Sequence, residues 1–598
     1  MGGPNPLDAG PRPREATMRS VKNDPGFDRF EHFLEQWSRR DFLKAVGMGT
    51  AYAAFLSGGI AALEACGSTS GPSAQASAKP QKGGTLIEGW STEPSYLLPA
   101  RSSDVYSNVA NRLLFEGLLT VNKDGNQLPN FAQKMPDVSS DGLTYTFKLR
   151  NDIKWSDGSP LTPEDVVATY ELYYDPKYEG LLGNARPTAK RYIKSATAQG
   201  DSIILQATTV FAPFLLNYGP TPIVPKKYIA GKTGSQLNTD DFNSAPPVSS
   251  GKFKFASWTK GDKLILSRND NYFRGPVNLD TWVYKKVPDA VAVLQQLKTG
   301  EIDVGRLDPS SYDEAKAQPN LNVLSFSTFG FDEFIFQLDP NKPAGQIFQD
   351  KLVRQALVWG LDRKAMVQAA YFGQASVADS VEPPTSWAFD KDVQSKYTYD
   401  TKKAGDLLDS AGWKVGSSGI REKGGQKLSF EMVTNADNST RVKNLQIMQE
   451  QWKKIGVDAQ IKNMSNLGLL SDNLTSSRQF GVMFIGFSLQ PFGEPDQSGL
   501  WHSRVAAVGG NNGGLYKNPR VDKILDDAVA TLDKAKRKDL YFQLQNILAD
   551  ELPSCIVCNP NGIYGVNKRV HNYNLGTFWL YGYGSSPYMK DVWVEPKK

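Results

Sequence analysis

Few residues in this chain have types and spacing suited to covalent chemistry. The 598 residues include three cysteines and three histidines. Cys555-Ile556-Val557-Cys558 has the spacing of a dithiol redox pair. Such a pair works when a helix N-terminus lowers the pKa of one thiol. Here it follows Leu552-Pro553 in a run that reads as extended. A structural disulfide, or two buried thiols, is therefore expected rather than redox catalysis. His32, His502 and His571 lie far apart, and no Cys/His spacing suits zinc. The phosphate loop GxxxxGK[ST], the GxSxG elbow and the HExxH helix are absent. No metal or cofactor is expected, and the case for an enzyme is weakened.

The third cysteine has a different chemistry. Ser38-Arg39-Arg40-Asp41-Phe42-Leu43-Lys44 reads as a twin-arginine export signal, with Arg39 and Arg40 as the pair. Ala45–Leu63 follows as an apolar run diluted by glycine, which suits such a signal better than a permanent anchor. Leu63-Glu64-Ala65-Cys66-Gly67 then resembles a lipoprotein box, in which the Cys66 sulfur carries a diacylglyceryl group. Glu64 stands where a small or apolar residue is usual, and Ala76 and Ala78 offer an ordinary cleavage site instead. Residues 1–66 are thus expected to be a leader with its lipid-attachment site. Residues 67–82, rich in Ser, Ala, Gly, Pro and Lys, are expected to be a flexible tether. The protein is expected to be exported, either to a periplasm or to the outer face of the cytoplasmic membrane, and held there by lipid.

Behind these residues stands a large body of ordinary globular composition. Apolar residues make 40% and aromatics 11%, enough for more than one core. The net charge of +5 is small for this length, and no Lys/Arg block follows Ala78, so a nucleic-acid partner is not expected. Strand and helix patterns alternate. Leu143, Tyr145, Phe147 and Leu149 have the period of a half-buried strand. Thr162 caps a helix with Pro163 at its first position and Asp165 at its third. Lys252–Ser257 and Lys263–Ser267 flank a Lys260-Gly261-Asp262 turn as a hairpin. Helices are expected over Val105–Phe115 and Asp289–Leu297, from Leu352 to Leu361, after Asp400, from Val442 to Ile455, and within Val521–Leu548. The class is α/β, without a short repeat.

The order of these segments resembles the bacterial extracellular solute-binding proteins, family 5, the dipeptide/oligopeptide type that serves ABC importers. Asn111–Leu119 with Asp141–Arg150, Ile153–Val166, Ser250–Phe255 leading to Arg268–Phe273, and Val353–Leu357 leading to Leu361-Asp362-Arg363 carry the likeness. It runs from about Gly83 to Val594. The resemblance implies a two-lobed, type II periplasmic-binding-protein fold with an extra subdomain and a ligand cleft between the lobes. Lobe I would comprise 83–127, 249–330 and 566–598, the subdomain 128–248, and lobe II 331–565. In peptide binders of this family, an Asp after a Gly-Trp pair holds the ligand's α-ammonium. Gly486-Phe487 matches that pair, and the Asp position falls on Gln490 or Pro491. Neither offers a carboxylate, unless Glu494 or Asp496 replaces it. Trp90, Tyr96, Phe487 and Trp501 are the candidate cleft aromatics, with Gly486, Ser488, Gln490 and Glu494 beside them. The resemblance thus implies a monomer that hands a peptide to a membrane permease. An oligosaccharide binder of the same fold and a secreted hydrolase remain the alternatives.

Overall fold

Local chemistry sets the ends of the elements. In the computed structural model, which describes residues 79–597 apart from 103, 123–124, 184, 394–395, 466, 489–493 and 574–586, α1 (Val105–Leu114) starts at Asp104, whose carboxylate accepts from Ser107 N. In α2 (Pro163–Tyr174) the Thr162 N–H donates to Asp165 Oδ2 at 2.9 Å, and Pro163 occupies the first helical position as its spacing predicts. Helix α3 (Ala290–Thr299) stops at Gly300, whose φ of 73° a β-carbon would disfavour. Further on come α4 (Lys351–Trp359), α5 (Arg363–Tyr371), α6 (Thr401–Ser410) and α7 (Ser439–Lys453). The helical pattern over Val521–Leu548 resolves into α8 (Pro519–Ala530) and α9 (Lys534–Glu551). Arg39, Arg40 and Cys66 lie outside the described residues, as does most of the tether.

Among the described residues, twelve strands join one sheet: β1 (Thr85–Trp90), β2 (Phe253–Thr259), β3 (Lys263–Arg268), β4 (Thr281–Lys286), β5 (Val304–Arg306), β6 (Leu321–Ser327), β7 (Gly330–Phe336), β8 (Ala375–Val377), β9 (Ser429–Val433), β10 (Asp458–Ile461), β11 (Val482–Ser488) and β12 (Ser554–Asn567). Their order is β10-β9-β11-β7-β12-β5-β1-β4-β3-β2, with β6 and β8 also paired to β12. The sheet is two half-sheets that share one long strand. The first part of β12 pairs antiparallel with β7, Ser554 opposite Ile335 and Cys558 opposite Asp332. Its second part pairs with β6, Asn561 opposite Ser327 and Asn567 opposite Leu321, and with β5. The chain also crosses from one half to the other between β6 and β7, through Thr328-Phe329.

Each half buries its own core. One cluster gathers Leu86, Leu113, Phe115 and Trp282 with Tyr170 of α2 and with Phe147 and Leu205 of a smaller antiparallel sheet built from strands within 137–207. A second gathers Phe334, Phe336, Leu357, Trp452 and Phe484. Inside the first, Lys252 Nζ lies 2.6 Å from Glu116 Oε1, both side chains fully buried. Tyr272 and Asn130 donate to the same carboxylate. Cys555 and Cys558 are free thiols buried in β12. Burial pushes Cys555 up to about 12 and holds Cys558 well above the ordinary thiol value, so neither is a thiolate nucleophile. Of the two structural readings of this motif, buried thiols hold and a disulfide does not. No described helix is long and apolar enough to cross a membrane.

Candidate functional site

The crossover between the half-sheets is pinned by short polar contacts. Thr328 Oγ1 donates to Pro560 O at 2.9 Å, and Asn559 Nδ2 donates to Gly330 O at 3.1 Å. Beside it, β7 and β11 run antiparallel, with Gly330 opposite Ser488, Phe331 opposite Phe487 and Asp332 opposite Gly486. A β-carbon on Gly486 would lie 2.0 Å from Asp332 Oδ1, so glycine is required for this approach. Asp332 in turn accepts from Tyr371 OH at 2.7 Å.

Two irregular segments complete this corner. Residues 378–390 follow β8, and residues 494–502 return toward α8. Phe329, Phe331, Val381, Ala388, Trp501, Tyr541 and Ile556 share one apolar cluster, with Phe487 and Trp387 packed against it. Its polar part is carboxylate-rich. Glu382 is buried, and its Oε1 accepts from Gln497 Nε2 at 2.9 Å. Burial pushes Glu382 up to about 7, opposed by Ser386 and Gln497 and reinforced by Asp496. Glu494 is also buried and pushed up to about 7 by burial, against the pull of Arg537, with which it is ion-paired. Asp496 is half-buried and accepts from Ser498 N at 2.9 Å.

The smaller sheet's region faces the same side. Ala212 N donates to Val529 O of α8 at 2.7 Å, and Arg191 lies 3.9 Å from Asp526. The charges of Asp496, Arg504 and Asp526 reach the phenol of Tyr192. This corner offers apolar rings, main-chain groups and fixed carboxylates around a strand crossover. It holds no activated nucleophile among its described residues, and no described group of His, Cys, Asp and Glu is placed to hold a metal.

Residues 126–506 match the family model described as bacterial extracellular solute-binding proteins, family 5 Middle. The chain belongs to that family. It is 32% identical over 539 residues to the oligopeptide-binding protein AppA of Bacillus subtilis (strain 168), covering 87% of this chain and 96% of that one. The solved structure of the Bacillus subtilis AppA in complex with a nonapeptide superposes with a TM-score of 0.74 at 30% identity, over 87% of this chain and all of that one. NikZ from Campylobacter jejuni, solved with Ni(L-His), gives 0.73 at 26% identity over 85% and 99%. The fold is therefore the family's two-lobed one, with its solute cleft between the lobes. The protein is an extracytoplasmic carrier of solute, not an enzyme.

Within this family-5 frame the expected residues fall into distinct places. Gly486, Phe487 and Ser488 close β11 at the crossover, with Ser488 exposed. Gln490 lies outside the described residues. Trp501 is buried in the same cluster that Phe487 packs against. Glu494 is buried and ion-paired with Arg537. Trp90 is buried in the other core, its ring 3.7 Å from Tyr284 and its Nε1 donating to Glu88 at 2.9 Å. Tyr96 is half-buried, and the Arg101 guanidinium covers one face of its ring at 3.5 Å. Sequence reasoning did not find Glu382 or Gln497. The signal was a lone acid between Val381 and Pro383-Pro384, in a stretch too irregular for any period.

Proposed function

We propose that this protein captures oligopeptides outside the cell and delivers them to a membrane ABC permease. The observation carrying the reading is the full-length likeness to a relative solved around a nonapeptide, at 30% identity over 87% of this chain. The irregular, polar corner at the strand crossover suits it. An extended peptide offers repeating main-chain donors and acceptors, and the ends of β7 and β11 can meet them whatever the side chains are. Lobe I is read as 83–127, 249–330 and 566–598, its subdomain as 128–248 and lobe II as 331–565, so β12 and the 328–329 crossing form the hinge. Residues 1–66 are read as a twin-arginine leader ending in lipidated Cys66, and 67–82 as the tether that lets a monomer reach its permease.

The deciding experiment is native mass spectrometry of the protein purified without unfolding, followed by identification of the released mass. A set of masses spaced by amino-acid residues is expected. A hexose or pentose ladder would replace the peptide reading with an oligosaccharide one, and turnover of the bound solute would restore the hydrolase.

A further inference from the structure

Four buried polar atoms in this corner have no hydrogen-bond partner: Glu382 Oε2, Gln497 Oε1, Ser498 Oγ and Trp501 Nε1. Their residues are 1%, 2%, 5% and 4% exposed. Buried polar groups in folded proteins are mostly paired, and here four unpaired atoms fall in two segments that touch through Gln497 and Glu382, which suits an occupant. Gln497 organises the set. Its Nε2 donates both to Glu382 Oε1 at 2.9 Å and to Val381 O at 3.2 Å, which leaves its Oε1 only able to accept. Trp501 N donates to Gln497 O at 3.1 Å, which places the indole one turn further on.

The four atoms have a definite chemistry. A carboxylate oxygen and an amide oxygen accept, an indole N–H only donates, and a hydroxyl does either. Their complement is a group rich in donors next to an acceptor. A primary ammonium followed by a carbonyl, the amino terminus of a peptide, has this form. The local charge agrees. Ser386, Gln497 and Asp496 are the groups that act on Glu382, and neighbouring Glu494 adds a second carboxylate already matched to Arg537. No cation of the protein is among them, so the carboxylate has no counter-charge of its own.

We propose that Glu382, held by Gln497, receives the amino-terminal ammonium of the bound peptide, with Ser498 Oγ and Trp501 Nε1 meeting the carbonyl that follows it. This rests on the peptide reading and gives it an anchor that the Gln490 position lacks. Because Glu382 is pushed up to about 7 when the site is empty, it is about half protonated at pH 7, and an arriving ammonium lowers its proton affinity and releases up to about half a proton per site.

The test compares the full chain and its Glu382→Gln and Glu382→Asp variants. The probes are a randomised nonapeptide library and the same library N-acetylated, with binding measured by equilibrium dialysis. The unmodified protein is expected to favour the free-amine library at least tenfold. Glu382→Gln should erase that preference without weakening the acetylated library, and Glu382→Asp should restore part of it. Calorimetry in two buffers of different ionisation heat should show proton release that Glu382→Gln lacks, and matching circular dichroism certifies its fold. If Glu382→Gln keeps the preference, or the unmodified protein binds both libraries equally because water fills the site, the Glu382 assignment is overturned and peptide binding stands. If the unmodified protein binds neither library, the peptide reading itself falls, and the anchor with it.

Discussion

The buried Glu382 carboxylate, which has no cationic partner, makes a stability prediction that is independent of any ligand. Moving this carboxyl from 4.5 to about 7 means that ionising it inside the fold costs about 3 kcal/mol more than in the unfolded chain, at 1.36 kcal/mol per tenfold change in proton affinity. The sign follows from linkage. The folded state binds the proton more tightly than the unfolded state, so stability from this group is full below 4.5 and is lost as pH rises through 7. Glutamine has nearly the same shape, keeps an oxygen for Gln497 and cannot ionise. Ligand-free Glu382→Gln should therefore match the parent at pH 5 and exceed it by about 2–3 kcal/mol at pH 8.5. Urea unfolding of both proteins at the two pH values reads this as a change in their difference. Glu88 and Glu333, also pushed up to about 7 and about 8, titrate in both proteins and cancel to first order, whereas Glu494, raised in part by the Glu382 charge, loses that push in the variant and adds to its gain at pH 8.5. A constant offset at the two pH values would refute the reasoning, because it would mean that the Glu382 carboxyl is solvated or paired in solution.

Two other outcomes test the architecture. Glu116→Gln removes the buried counter-charge of Lys252 and should cost about 3–5 kcal/mol in urea unfolding, whereas Glu116→Leu combined with Lys252→Met should recover most of the loss; an equal loss in the double variant would count against a buried ion pair there. Cys555 should resist alkylation in the folded protein, because a thiol pushed up to about 12 is about one part in ten thousand thiolate at pH 8. Labelling of the 555–558 peptide at the rate of a free cysteine, without denaturant, would contradict the burial of β12.

What the sequence made legible was whatever local chemistry decides. The Asp104 and Thr162 caps, the Gly300 stop and the hairpin around Gly261 each depend on a few neighbouring residues, and each forms where its pattern says. The strands β7, β11 and β12 escaped that reading. Phe334-Ile335-Phe336, Val482-Met483-Phe484 and Cys555-Ile556-Val557 are buried on both faces, so they show continuous apolar runs with no alternation to count. The site was harder still. Glu382 and Gln497 meet across 115 positions of chain, and Glu494 finds Arg537 across 43. Nothing local encodes either meeting, which is why Glu494 looked free in the sequence and Glu382 looked like a loop residue.

The strand shared by both half-sheets is also among the last to leave the ribosome. β7 is complete at Phe336, but its partner begins only at Ser554. The intervening 217 residues take roughly 10–45 s at about 5–20 residues per second. Throughout that interval β7 and β5 have an open edge on the side that β12 will fill, and the β7 edge carries Phe334, Ile335 and Phe336. The sheet's centre is closed after its flanks, so the nascent chain depends on being shielded from its neighbours until synthesis is nearly over.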